Sequence, residues 1–174
     1  LSRGLANLLL PPQDEAALAE KPKPSSILSR LYEDEEIVVG DADGTMTLAK
    51  AAKVFTGYLD PYFKNWDTDK PGKATKAAVY EMRRDATFAQ LFCSLGGLNA
   101  LIWEQSQIVN FCKERHDKLL QDGNATFFLF KVGEELFVAG VRVRAGGLKA
   151  YAYRFDVDGV WDAIDRDRVV VPQL

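Results

Sequence analysis

The sequence predicts an α+β fold, with N-terminal helices packed on a C-terminal four-stranded antiparallel β-meander. Three observations lead there. Apolar residues recur at helical spacing up to Gly123; from Ala125 onward the period changes from 3.6 to 2. The connectors between the later runs, "GE", "AGG" and "VDG", have the length and composition of hairpin turns, which join only antiparallel neighbours.

Taken in order, "LSRGLANLLL" forms a short amphipathic segment with Leu5, Leu8 and Leu9 on one side, and reads poorly as a secretory signal. Residues 11–26 hold four of the seven prolines, so residues 1–26 are expected to be an arm and an extended linker. A single α+β domain then fills 27–174, mainly helical over 27–124 and sheet over 125–174. Ile27, Leu28 and Leu31 stand at helical spacing. A helix is predicted from about Thr47 to Tyr58, on Leu48, Ala51, Ala52 and Phe55. Another spans about Ala74 to Cys93, on Ala78, Met82, Phe88 and Leu91 or Phe92. "SLGGLN" breaks it, and a third runs from about Gln105 to Gln121, ending at Gly123. The strands are "TFFLFKV", "ELFVAGVRVR", "LKAYAYRFD" and a fourth running from "VWDAI" toward "RVVVPQL".

A chain of 174 residues with 47% hydrophobic and 27% charged residues is long enough for a buried core. Its net charge of −3 excludes coating nucleic acid by bulk charge, though not through a local basic face. No apolar run nears the roughly 18 residues of a membrane span. The two cysteines, Cys93 and Cys112, fall in apolar helical contexts and read as reduced, which predicts a cytoplasmic setting.

Few constellations carry chemistry. "GDADGTM" places Asp41, Asp43 and Gly44 as in part of a calcium loop, but Val39 and Lys50 stand where acidic ligands belong. It is read as a solvated turn capping the helix from Thr47. Cys112 and His116, one helical turn apart, are two ligands where zinc needs three or four, and His116 is the only histidine. Ser94 and Ser106 lack a nucleophile elbow, and the glycine pairs lack phosphate-loop spacing. Asp156 with Asp158, and Asp165 with Asp167, are read as turn formers. No cofactor and no metal is predicted.

The strongest signal is the alternation in "LFVAGVRVRAGGLKAYAYRFD". If the "AGG" hairpin pairs the small residues, Gly140, Ala150 and Ala152 share the middle of one face. Arg142, Arg144 and Arg154 then rim it, and Tyr151 and Tyr153 are available for stacking.

The blocks "FAQLFCSLGGLNALIWEQSQIVNFC", "GNATFFLFKVGEELFVAGVRV" and "YRFDVDGVWDAIDRDRVVVPQL" resemble a group of uncharacterised small bacterial proteins sharing the "ATFFLFKVG" strand and the "RVVVPQL" end. The resemblance covers residues 88–174. It implies a bacterial, intracellular setting and one structural unit there, and brings no site.

Three functions are weighed. The first is a non-catalytic binding or assembly module that contacts a protein partner or itself, through the sheet or through Leu5, Leu8 and Leu9. The alternative is a binder of nucleic acid or another anionic ligand through Arg142, Arg144, Arg154, Tyr151 and Tyr153. A metal- or carboxylate-dependent enzyme comes third.

Overall fold

The computed structural model describes residues 26–173. The expected arm with Leu5, Leu8 and Leu9 lies outside the described residues. The expected fold, helices on a four-stranded meander, is overturned. One mixed sheet of eight strands dominates, and among the described residues two α-helices accompany it, α1 (Phe88–Cys93) and α2 (Gln105–Glu114).

The strands are β1 (Leu28–Leu31), β2 (Ile37–Val39), β3 (Tyr58–Leu59), β4 (Thr75–Met82), β5 (Ala125–Val132), β6 (Glu135–Arg144), β7 (Gly147–Arg154) and β8 (Arg168–Gln173). Their order across the sheet is β1-β4-β8-β5-β6-β7-β3, and β2 also pairs with β4. β1 takes Val79–Met82 of β4 and β2 takes Thr75–Ala77, so together they form one edge interrupted at residues 32–36. The pairings β5·β8 and β3·β7 are parallel; the rest are antiparallel.

The helical expectations fail where a strand is buried on both faces. In β4, Ala77 and Val79 enter one core while Ala78, Tyr80 and Met82 face the other. With four apolar residues in succession from Ala77 to Tyr80, helical and strand spacing match equally well. Only Phe88–Cys93 of the expected 74–93 helix is helical; Thr87 caps it reciprocally with Gln90. The segment 47–58 holds a 3-10 turn at Leu48–Lys50, and the buried Thr47 hydroxyl caps nothing. α2 stops at Glu114 because Arg115 leaves helical geometry at φ −122.

The sheet expectation fails at one strand. β5, β6 and β7 form antiparallel hairpins where the alternation puts them. β8 does not continue the meander. It lies between β4 and β5, parallel to β5, while the short β3 takes the place beside β7. Val169, Val170 and Val171 are all buried, and such a strand needs cover on both faces. Residues 155–167 therefore form a crossover rather than a turn. Trp161 anchors it, with its ring 5.2 Å from Phe88, 4.8 Å from Phe127 and 5.4 Å from Tyr153, and its backbone paired with Ala86.

Two cores result, one on each side of the sheet. On one side α2 and the 3-10 turns cover Phe128, Phe130, Phe137 and Val170, with Phe111 edge-on to Phe128 at 5.3 Å. On the other, α1 and the crossover cover Phe127, Leu129, Val138 and Val169. Each large apolar side chain so buried contributes roughly 1.5–3 kcal/mol relative to exposure.

Candidate functional site: a basic, aromatic strip on β6, β7 and β3

Register decides which side chains meet. Gly140 pairs with Tyr151, Val141 with Ala150, Arg142 with Lys149 and Arg144 with Gly147. The small residues therefore do not share a face, contrary to the expected strip. Ala150 and Ala152 join the core under α2, whereas Tyr151 and Tyr153 share the crossover side with Gly140 and Arg142. The close approach expected at Gly140 is made by the chain itself. A Cβ there would stand 2.9 Å from the Tyr153 ring and 3.4 Å from that of Phe127.

Arg154 is not part of the site. It pairs with Phe137 on the α2 side, 3.6 Å from the Glu135 carboxylate, with its guanidinium near the Trp66 and Phe137 rings. Tyr153 has the right face but is walled in by Phe88 and Trp161, and burial pushes its hydroxyl pKa up against the opposing pull of Arg142.

What the fold brings together is Arg142, Arg144, Lys149, Tyr151 and Tyr58. The Arg142 guanidinium lies 5.8 Å from the Tyr151 ring centroid, and Tyr151 packs on Tyr58 at 5.1 Å. Leu59 packs into the α2-side core, so Tyr58 is left on the other face, 41% exposed. A row of cation and two rings thus crosses three strands. Arg144 is exposed and lies over Gly123, whose φ of +89 suits glycine and where a Cβ would stand 2.4 Å from Arg144 Nη1. Arg142 donates to the Gly123 carbonyl at 3.4 Å. Among the described residues, no ion pair reaches Arg142, Arg144 or Lys149.

One residue that sequence reasoning read as a turn former sits behind the strip. Asp167 is 2% exposed and accepts from the Ala125 N–H at 2.9 Å. Burial pushes its pKa up to about 6; the Ala125 bond and Arg142 pull the other way, and Asp165 and Asp122 add to the rise. Lys149 and Tyr58 were likewise missed. Lys149 sits directly across from Arg142, which only register reveals, and Tyr58 reaches the strip through the parallel β3·β7 pairing.

The other candidates disperse. Asp41 accepts from the Ala74 N–H at 2.7 Å, and Asp43 from the Thr45 N–H and hydroxyl at 2.8 and 2.7 Å, so both hold backbone. Cys112 is buried, which pushes its thiol pKa up, whereas His116 lies beyond the end of α2; the expected helical pair is not formed. Cys93, expected in an apolar setting, is exposed. Asp156, Asp158 and Asp165 are exposed on the crossover. Among the described residues no group of three or more His, Cys, Asp or Glu is arranged to hold a metal, and no helix is long and apolar enough to cross a membrane.

Searched against family models, curated proteins and solved structures, the chain matches none.

Proposed function

We propose that the chain is a non-catalytic binding module that receives an anionic partner surface on the strip of Arg142, Arg144, Lys149, Tyr58 and Tyr151. The observation that carries this reading is three cations on neighbouring strands with no ion pair among the described residues. Arginines of this kind take carboxylate or phosphate in a bidentate manner, and the tyrosines add sequence-tolerant contact. The unpaired Cys93 and Cys112 support a reducing, cytoplasmic setting.

Oligothymidylate serves as a generic polyanion probe. Anisotropy titrations across a salt series are expected to give an affinity that falls steeply with salt. In an Arg142→Ala, Arg144→Ala variant the affinity drops and the logarithmic salt slope shrinks by about 1.4, because two fewer phosphates are neutralised. Unchanged binding by that variant would remove the strip from consideration.

A further inference from the structure

We infer that the anionic surface received by this strip is the 155–167 crossover of a second copy of the chain, the two copies pairing about a two-fold axis. The inference rests on the preceding reading of the strip and names its occupant.

The crossover is acidic and carries exposed aliphatic side chains. Asp156, Asp158, Asp162 and Asp165 are exposed there, with Arg166 the one cation before Asp167. Val157, Val160 and Ile164 are 44%, 66% and 82% exposed, half of the six large hydrophobics left open among the described residues. Seated against a second copy, these aliphatic side chains leave water together. The surface they fit is basic and carries rings, which is what the strip offers.

Strip and crossover lie on the same side of the sheet, with Tyr153, Gly123 and Asn124 along the border between them. Trp161 packs on Tyr153, the Asn124 side chain donates to the Asp165 carbonyl at 3.2 Å, and the neighbouring Gly123 carbonyl takes Arg142. These ties, with the Asp85 carboxylate on the Ala163 N–H at 2.8 Å, hold the crossover where its own acids form no ion pair with the strip. A two-fold rotation about the border lays each crossover over the other copy's strip. One operation makes both contacts and closes the assembly, as an isologous dimer requires. The nine exposed residues of the crossover and the five of the strip give a contact smaller than the roughly 20 residues a side of a standard interface, which fits a reversible dimer. Tyr58, Tyr151 and Arg142 are residue types that anchor such interfaces, while the carboxylates set orientation.

The test is a reciprocal charge swap on the full chain, read as solution mass by size exclusion with light scattering, with circular dichroism confirming the fold. One variant carries Arg142→Glu and Arg144→Glu, the other Asp158→Lys and Asp165→Lys. The parent is expected to have dimer mass and each variant alone monomer mass. Their equimolar mixture regains dimer mass, because each crossover then meets a strip of opposite sign. Ile164→Ser is expected to weaken the parent dimer by roughly tenfold, because less apolar surface is buried between the copies. A monomeric parent overturns the inference, as does a mixture that stays monomeric or variants that each remain dimers. If the parent is monomeric yet binds oligothymidylate through Arg142 and Arg144, the dimer fails and the strip stands. If those arginines affect neither mass nor oligothymidylate binding, both fail together.

Discussion

Asp167 holds its proton more tightly in the folded chain than in the unfolded one, since burial lifts it from an ordinary 3.8 to about 6. Between those values the folded state carries the extra proton. The stability this contributes is complete below about pH 4 and is lost as pH rises through 6. Urea midpoints at pH 4.5 and 7.5 are expected to show the parent losing on the order of 1 kcal/mol more than Asp167→Asn across that interval, after allowance for solvent screening. Tyr32 is a second residue whose role is local and definite. At φ 55 it breaks the β1–β2 edge, its ring lies 4.1 Å from Lys118 Nζ, and its hydroxyl accepts from Arg168 at 3.2 Å. The Lys118 ammonium is itself held by Glu35 at 2.7 Å, so one ring ties the interrupted edge to the start of β8. Tyr32→Phe removes one partly buried hydrogen bond and is expected to cost about 1 kcal/mol in the same assay. At Gly123, alanine strains a φ of +89 and displaces Arg144. Gly123→Ala is therefore expected to weaken oligothymidylate binding roughly two- to fivefold without removing a charge.

Among elements, the crossover determines more than any strand. It is what separates the observed sheet from a meander, and Trp161 is its anchor. Trp161→Ala strips the ring from between Phe88, Phe127 and Tyr153, and is expected to cost roughly 2–3 kcal/mol by thermal melting, below the full core value because the ring is half-buried. This element was also the hardest to read in the sequence. "DVDGVWDAI" has turn chemistry and an apolar centre, so it passes for a hairpin leading into a strand; nothing local says that "RVVV" must lie between two other strands. β6, by contrast, was legible to the residue, because one of its faces turns polar at Arg142 and Arg144 and the period shows. β4 was not, since "AAVY" is apolar toward both cores. The site follows the same rule. Arg142, Arg144 and Tyr151 were visible as types on an alternating strand, while Lys149 and Tyr58 depended on register and on a parallel edge that sequence spacing does not encode.

At the scale of the whole molecule, a sheet with a core on each face leaves little open surface on its strands. Aromatic residues fill both sides of β5, and α1, α2 and the crossover cover most of what they present. The strip stays open because it lies past the reach of Trp161, where β6, β7 and β3 extend beyond the crossover's anchor. That confinement allows a chain of net charge −3 to carry a basic contact surface. The central claim is that this strip, and not another basic region, meets the anionic partner. Backbone and arginine side-chain NMR shifts recorded during an oligothymidylate titration test it most directly. The account predicts that oligothymidylate competes with the second copy's crossover for the strip, so that the largest changes fall on Arg142, Arg144, Lys149 and Tyr151 and fade at high salt; changes centred instead on Lys64, Lys70 and Lys73, or spread evenly over the surface, would contradict it.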